Sequence, residues 1–386
     1  MFLKSLNTVL SICVLCVFTG TGCQKVPSQR LEEELLLQAQ TLIEEKKYPQ
    51  AIGLLSDIAD NESAAIQLEQ LYYVISGDYL ENLEMGVAAI DRDGRVRLAA
   101  APGCFQDQET ALRTVEEWTD IRILSGRQWG LDALDKNGGF HTVRGDVVSD
   151  DYSERNRQIA ELEPLKLIFS CNYDYTAQTV DGTIYAYSRF SDYLQEEAVK
   201  QHMALWTDVR DIVSGPNMTA VLYGNGTVDF VCENHTCESE YDDMREWTDI
   251  VAIDGLGVTG CIAGLRADGT VLVSNHGMGN RANFYEAKEW TDVIAVSMGF
   301  DSLLGLKRDG TVVAAGNLSV GQRDVLEWTD IVAVAAGQNV HVGLSADGSI
   351  VTAGELPSGL RFPDTEEMKE LYIPVVFTDA VERDLK

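Results

Sequence analysis

An Asp-Gly or Asn-Gly pair recurs seven times between apolar runs, and this repeat constrains the fold more than any other feature. Successive glycines of these pairs are 44, 44, 44, 43, 41 and 38 residues apart. An Asx-Gly pair suits the positive φ angles of a two-residue type I′ turn, so each copy predicts a β-hairpin. The seven turn glycines are Gly94, Gly138, Gly182, Gly226, Gly269, Gly310 and Gly348. The chain therefore contains a tandem array of small β units.

A Trp-Thr-Asp motif precedes five of the seven turns in fixed register. The tryptophan lies 20 residues before the turn glycine in four copies and 22 residues before it at the remaining copy. Repetition at one position favours packing between neighbouring units over a binding role, because each indole can bury on the order of 200 Å². The motif tryptophans are Trp118, Trp206, Trp247, Trp290 and Trp328.

Each repeat contains three short apolar runs. In the last copy these are residues 331–335, 340–345 and 349–353, with a glycine-containing loop between the first two. Three strands in roughly 40 residues are typical of a β-propeller blade. The sequence thus predicts a mainly β protein, a seven-bladed β-propeller with three-stranded blades.

The first repeat lacks an opening strand, and Val74 stands where the motif has tryptophan. Residues 377–380 near the C-terminus, Phe-Thr-Asp-Ala, repeat the missing motif. We therefore expect a C-terminal strand to complete the first blade and close the ring, which would leave no free sheet edge between the first and last repeats. An open array of the same repeats is the alternative.

The repeats resemble a known family. The pattern Trp-Thr-Asp-Ile, then Gly-Leu, then Asp-Gly-Thr, with residues 315–317 (Ala-Gly-Asn) and 321–322 (Gly-Gln) after one copy, resembles the regulator-of-chromosome-condensation repeat. The short repeats are similar to the bacterial branch of that superfamily that contains β-lactamase inhibitor protein II, a secreted propeller. The resemblance covers residues 83–386 and implies the fold. It does not imply the chromatin, nucleotide-exchange or inhibitory roles of individual members.

Residues 1–22 have the pattern of a signal peptide: one cation, Lys4, precedes the apolar run 9–18. That run is too short to span a bilayer. The small residues before Cys23 resemble the lipobox of bacterial lipoproteins, although Gly20 stands where leucine is usual. The resemblance implies lipidation of Cys23 and a location on the outer side of a bacterial cell membrane. A secreted chain without lipid is the alternative.

Residues 23–82 have helical periodicity. Leu31, Leu35 and Leu42 recur at helical spacing, and Pro49 suits the first turn of a second helix. One stretch of about 35 residues resembles a tetratricopeptide hairpin, whereas arrays of that type need about three repeats. We expect a helical spacer at residues 23–82 and the propeller at residues 83–386.

The chain has 61 acidic and 30 basic residues, which gives a formal net charge of −31. Such a charge repels phosphate backbones and anionic lipid, so it disfavours nucleic acid and favours a neutral or cationic partner. Cys232 and Cys237 flank His235 and are candidates for a disulfide. Zinc usually takes four ligands, so this cluster does not predict a metal site, and no motif predicts a cofactor.

Three strands per blade place the loop after the first strand and the end of the third strand on one side of the ring. We call this side the loop face and the side with the Asx-Gly turns the turn face. Aromatic residues among acids and amides suit a protein-contact surface. The candidate contact residues on the loop face are Trp129, Tyr173, Tyr175, Asn217, Phe300, Asp301 and Asn339.

Catalytic motifs are scarce. The five histidines form no HExxH pattern, and no Gly-x-Ser-x-Gly elbow occurs. The sequence therefore predicts a non-enzymatic, exported module that binds a protein partner through the loop face. A carbohydrate or cell-wall binder is the alternative, and a hydrolase that uses Asp174 and Asp301 is a third reading.

Overall fold

The computed structural model describes residues 29–76, 80–83, 86–91, 93–105, 107–126, 130–144, 150–162, 164–171, 174–187, 192–215, 218–233, 241–256, 261–274, 284–318 and 321–355. The helices are α1 (Gln29–Glu44), α2 (Tyr48–Ser56), α3 (Glu62–Ser76), α4 (Gln108–Glu116), α5 (Asp150–Glu161) and α6 (Glu197–Met203). Short 3₁₀ helices lie at Tyr193–Gln195, Asp242–Glu246, Tyr285–Glu289 and Gln322–Glu327.

The strands form seven antiparallel sheets, and each sheet joins three strands that are consecutive in the chain. Blades 1 to 3 comprise β1 (Leu80–Asn82), β2 (Gly86–Ile90), β3 (Val96–Ala100); β4 (Ile121–Ser125), β5 (Gly130–Asp135), β6 (Phe140–Arg144); and β7 (Leu165–Cys171), β8 (Asp174–Thr179), β9 (Ile184–Tyr187). Blades 4 and 5 comprise β10 (Val209–Gly215), β11 (Met218–Tyr223), β12 (Val228–Cys232); and β13 (Ile250–Leu256), β14 (Cys261–Arg266), β15 (Val271–Ser274). Blades 6 and 7 comprise β16 (Val293–Met298), β17 (Ser302–Lys307), β18 (Val312–Gly316); and β19 (Ile331–Ala335), β20 (Val340–Ser345), β21 (Ile350–Gly354). The predicted seven-bladed, mainly β fold is confirmed.

The first strands of the blades lie innermost and pack on one another around the ring. The ring closes where β1 packs against β19 and β20 of blade 7. There the amide nitrogen Nδ2 of Asn82 donates a hydrogen bond to the carbonyl oxygen of Val340 at 2.7 Å. Apolar side chains of blades 1 and 7, among them Leu80 and Val342, share one buried cluster.

The source of the opening strand differs from the sequence expectation. Leu80–Asn82 pairs with β2 and occupies the position that the C-terminal motif at residues 377–380 was expected to fill. That C-terminal copy lies outside the described residues. A three-residue strand is too short to show an alternating pattern, so the sequence does not reveal it. The blades accordingly begin at Leu80.

The Asx-Gly turns are hairpin loops of three residues, so the prediction of type I′ turns was wrong. All seven turn glycines have positive φ, between 72° and 93°, but the preceding Asp or Asn does not. In blade 5 the N–H of Gly269 donates to the carbonyl of Arg266, and the N–H of Arg266 donates to the carbonyl of Thr270, both at 2.9 Å. This is a type I turn followed by a left-handed glycine.

In blades 3 to 7 the Asx side chain and the Thr or Ser after the glycine fix this loop. In blade 6 the carboxylate of Asp309 accepts hydrogen bonds from the hydroxyl of Thr311 at 2.6 Å and from its backbone N–H at 3.0 Å. These bonds lower the pKa of Asp309, the hydroxyl contributing most. Because a short oxygen-bearing side chain is needed to accept them, aspartate and asparagine recur at this position.

Each motif tryptophan lies between two neighbouring sheets. Trp118, for example, belongs to the cluster formed by blades 1 and 2, and Trp247 to the cluster of blades 4 and 5. In blade 7 a glycine of the second strand makes room for the indole, since a Cβ on Gly343 would lie 2.9 Å from Trp328. The glycine of the recurring Gly-Leu pair is thus a packing position.

The helical segment packs directly on the propeller. Ile52, Leu55 and Leu71 are buried in the same cluster as Val251 and Val293 of blades 5 and 6. Nε2 of Gln50 in this segment also donates a hydrogen bond to the carbonyl of Asp268 on the turn face at 3.3 Å. In the described part of the chain, no helix has the length and apolarity that a membrane span requires. The segment is therefore part of the folded body; its tetratricopeptide likeness stays a prediction.

Candidate binding groove at the rim of blades 3 and 4

A cavity of about 760 Å³ opens at the outer rim between blades 3 and 4. We call it the rim groove. It is lined by Gln158 of α5, by residues 181–187 in and after the turn of blade 3, and by residues of the connection to blade 4, among them Leu194, Lys200, Met203 and Trp206. A volume of this size is within the range of ligand-binding clefts.

The groove opens where the ring of turn contacts is interrupted. In five pairs of neighbouring blades, the turn glycine carbonyl accepts a hydrogen bond from the first strand of the next blade at 2.8–3.1 Å, as Gly138 does from Leu165. Between blades 3 and 4, both described here, no such bond joins Gly182 to Val209.

The close approach of the turn glycine to the first strand of the next blade is also missing at this place. A Cβ built on Gly138 would lie 2.4 Å from the carbonyl oxygen of Leu165, whereas one built on Gly182 meets nothing within 4 Å. Nearer the axis the blades remain joined, since Nζ of Lys166 donates to the carbonyl of Val209 at 3.0 Å. The separation is therefore confined to the rim.

The floor of the groove is the outer edge of β9. The third strands β3, β6, β12, β15 and β18 each pack against the helix that follows them in the chain. Among the described residues, the backbone of β9 approaches Tyr193–Gln195 and α6 less closely, although the side chains of Ile184 and Ala186 pack against the cluster that contains Leu194 and Met203. An edge strand left open in this way presents unpaired backbone groups to whatever occupies the groove.

The register of β9 identifies those groups. The N–H of Thr179 donates to the carbonyl of Thr183 at 3.0 Å, and β8 pairs with β9 as Ala177 with Tyr185 and Thr176 with Ala186. Because hydrogen-bonded pairs alternate along an antiparallel ladder, Thr183 and Tyr185 bond to β8. The N–H and C=O groups of Ile184 and Ala186 therefore point outward.

Two walls of different composition flank this edge. On the side of α5, Tyr187 stacks on the buried Tyr175 with ring centroids 5.7 Å apart and planes 17° apart. On the side of α6, Leu194 and Met203 lie in the buried cluster that also contains Trp206. The groove thus has apolar side chains on both sides of a polar backbone edge, together with the polar side chains of Gln158, Gln195 and Lys200.

The turn-face end of the groove is acidic. Asp181 and Asp208 are both exposed and both line it. The hydroxyl of Thr179, and then the backbone N–H of Thr183, donate to the Asp181 carboxylate and lower its pKa. Asp181 is therefore negatively charged at neutral pH, and a basic group of a ligand is favoured at this end.

A network around Asp229 of β12 holds the α6 wall in place. Its Oδ2 accepts hydrogen bonds from Nε1 of Trp206 at 2.9 Å and from Nε2 of His202 at 2.8 Å. Its Oδ1 lies 3.2 Å from Nη1 of Arg245. Burial raises the pKa of Asp229, but the bonds from His202 and Trp206 outweigh burial and hold that pKa below its ordinary value. The carboxylate acts here as a structural acceptor.

The loop-face residues predicted from sequence are dispersed. Phe300 packs partly buried against the core of blades 5 and 6, and Asp301 accepts a hydrogen bond through its carbonyl from Asn317 at 2.7 Å. Asn339 is exposed in blade 7. Tyr175 is buried behind the rim groove rather than exposed on the loop face. Trp129, Tyr173 and Asn217 lie outside the described residues.

The remaining predicted positions are partly described. Cys232 ends β12, whereas Cys23 and Cys237 lie outside the described residues, so their lipidation and disulfide stay predictions. Within the described ranges, no group of three or more His, Cys, Asp or Glu side chains is arranged to hold a metal ion.

Sequence reasoning did not find the rim groove. One signal was present: β9 carries Tyr185 and Tyr187 on one face, whereas no other described third strand carries two tyrosines. Tyr185 is 42% exposed, so this strand presents an aromatic face at the rim.

No family model matches the sequence, and no curated protein does. Among solved structures, the WD40 ectodomain of the Arabidopsis thaliana receptor kinase ACR4 matches with 12% identity over 74% of this chain and 98% of that chain, at a TM-score of 0.47. Yeast RCC1 (Prp20) in its complex with Kap60 matches with 17% identity over 70% of this chain and 62% of that chain, at a TM-score of 0.32.

Prp20p from Saccharomyces cerevisiae also matches, with 15% identity over 80% of this chain and 76% of that chain, at a TM-score of 0.36. The seven three-stranded antiparallel sheets of the present chain fit an RCC1-like seven-bladed propeller. The sheets themselves, rather than these distant likenesses, carry that conclusion.

Proposed function

We propose that this chain is a non-enzymatic propeller that binds a protein partner and that the rim groove holds part of that partner. The observation that carries the proposal is the open cavity of about 760 Å³ over the outer edge of β9, with which no other described strand pairs. Clefts with apolar walls and a few fixed polar groups are the usual form of binding sites.

A polypeptide fits this groove better than a sugar does. The walls contribute Tyr187, Leu194 and Met203, and the floor contributes backbone N–H and C=O groups. Side chains can fill the apolar walls while a peptide backbone satisfies the floor, which is how extended segments bind at sheet edges. The net charge of −31 favours a neutral or basic partner.

Binding rather than catalysis suits the titratable groups near the groove. The densest cluster among the described residues there, around Asp229, is engaged in hydrogen bonds with His202, Trp206 and Arg245. A general base needs a carboxylate or imidazole within reach of a substrate proton. Asp229 instead fixes the wall of the groove.

The N-terminal residues support an exported location for this binding module. The signal-like residues 1–22 and the lipobox-like Cys23 support a location outside the cell, tethered by lipid. The helical segment that follows Cys23 packs on the turn face of blades 5 and 6. A tether at that side leaves the loop face and the rim of blades 3 and 4 accessible to a partner.

The test uses the chain from residue 24 onward as an affinity matrix for extracellular proteins of its source. A retained polypeptide is identified, and its affinity is then measured for Ala204→Arg in the groove and Asn339→Arg on the loop face. Both positions are exposed, so the same side chain is introduced without disturbing a core.

We expect Ala204→Arg to weaken binding and Asn339→Arg to leave it unchanged. The reverse result would move the site to the loop face. Retention of glycans with no polypeptide would replace the proposal by carbohydrate binding.

A further inference from the structure

We propose that the partner contributes an extended segment that pairs antiparallel with β9 as a fourth strand of blade 3 and places a basic residue at the turn-face end of the rim groove. This inference rests on the proposed function and specifies how the groove recognises its partner. It names a class of ligand: a short β-forming segment with apolar residues at alternate positions and a C-terminal lysine or arginine.

The backbone of β9 has the geometry that strand addition requires. Ile184 and Ala186 direct their N–H and C=O groups away from β8, towards the groove. Both residues line the cavity. Four residues of β9 span about 13 Å, enough for an added strand to form two pairs of hydrogen bonds.

The two walls match the alternation of an added strand. Successive side chains of a strand point to opposite faces of the sheet. One set of side chains would therefore meet Tyr187 on the α5 side, and the other set would meet Leu194 and Met203 on the α6 side. Leu194 and Met203 favour apolar residues on the face of the segment that meets the α6 side, whereas the Tyr187 hydroxyl and the Gln158 amide also accept polar residues such as threonine on the other face.

The charges at the end of the groove set the direction of the segment. β9 runs from the turn at Gly182 towards the loop face, so an antiparallel partner ends near the turn face. Asp181 and Asp208 lie at that end, exposed and lining the cavity. A lysine or arginine at the C-terminal end of the segment would approach the acidic end of the groove.

The test measures binding of a defined peptide to the chain from residue 24 onward. The probe is a fluorescent hexapeptide of alternating valine and threonine that ends in lysine. Two comparison peptides are used. One ends in glutamate instead of lysine, and the other keeps the lysine but carries N-methyl groups at alternate residues. We expect each comparison peptide to bind about tenfold more weakly or worse, because each loses a charge-assisted contact or edge hydrogen bonds.

The protein side of the test is Ala186→Pro. Proline removes the outward N–H of the edge strand and keeps the N–H groups of Thr183 and Tyr185 that belong to the ladder. Ala314→Pro is the matched control, since Ala314 holds the same register position on β18. We expect Ala186→Pro to weaken the lysine peptide about tenfold and Ala314→Pro to leave its affinity unchanged.

Equal affinity of the lysine peptide for the wild type and a folded Ala186→Pro variant would overturn the inference. So would equal binding of the N-methylated peptide, a comparison that uses the wild-type protein and does not depend on the variant folding. Absence of any binding of the lysine peptide up to ~1 mM would overturn it as well. The proposed function is tested separately with the captured partner. If Ala204→Arg abolishes binding of that partner and Ala186→Pro does not, the groove is the binding site but the partner does not add a strand to β9.

Discussion

Protonation of His341 is expected to destabilise the propeller below neutral pH. The side chain is fully buried in β20, and its Nδ1 accepts a hydrogen bond from the N–H of Gly337 at 3.3 Å. Its Nε2 is buried without a hydrogen-bond partner. Burial lowers the pKa of His341 to about 4 from an ordinary value of 6.5.

The sign and size of the effect follow from these values. The unfolded chain takes up a proton at His341 as the pH falls through 6.5, whereas the folded chain does so only near pH 4. The contribution of neutral His341 to the free energy of unfolding is therefore fully present above pH 6.5 and is lost progressively between pH 6.5 and 4. Linkage gives a loss of about 2 kcal/mol between pH 7 and pH 5.

The matched variant is His341→Leu, because leucine occupies the same register position in blades 2 and 6, at Leu131 and Leu303. The measurement is urea unfolding of both proteins at pH 7, 6 and 5. The difference between their free energies of unfolding cancels the titration of all other groups. We expect this difference to shift by about 2 kcal/mol in favour of the leucine variant as the pH falls from 7 to 5.

A difference that stays constant across this pH range would refute the reasoning. It would mean that His341 titrates normally in the folded protein, and hence that water reaches its ring.

Other substitutions test the turns, the tryptophan packing and the groove wall. Gly182→Ala should lower the free energy of unfolding by about 1–2 kcal/mol, because alanine is strained in the left-handed backbone region. Gly138→Ala should lower it by at least about 1 kcal/mol more, because its Cβ would also clash with Leu165. Equal losses in thermal unfolding would contradict the missing contact between blades 3 and 4. Gly343→Ala should destabilise by about 1–3 kcal/mol through its contact with Trp328, and denaturant unfolding that detects no change would reject that packing. Asp229→Asn should weaken partner binding because the α6 wall of the groove loses its hydrogen bonds, while the propeller still unfolds cooperatively. Circular dichroism and affinity are measured on the same sample. Unchanged affinity would show that Asp229 does not contribute to the groove.

The repeat allowed the fold to be predicted from the sequence because each blade carries its own signals. The turn glycines need positive φ, and the Gly-Leu pair gives room to the indole, so both patterns report local geometry directly. The turn type was predicted wrongly because Asx-Gly occurs in both two-residue and three-residue hairpins. In blades 3 to 7 the Thr or Ser after the glycine, as at Thr270 and Ser349, accompanies the three-residue loop.

The rim groove could not be predicted because it depends on a contact that is missing between two repeats. The turn of blade 3 has the same Asp-Gly-Thr sequence as those of blades 5 and 6, yet Gly182 does not approach blade 4. Whether a turn meets the first strand of the next blade is decided by how neighbouring sheets pack, and this packing has no local sequence pattern. The loop-face contact residues predicted from sequence, such as Phe300 and Asn339, stay predictions.

Hydrogen–deuterium exchange of the chain with and without its captured partner tests the central functional claim most directly. We predict that the partner slows exchange of the backbone amides of Ile184 and Ala186 and leaves those around Phe300 and Asn339 unchanged. Protection of the loop face with no change along β9 would contradict the account.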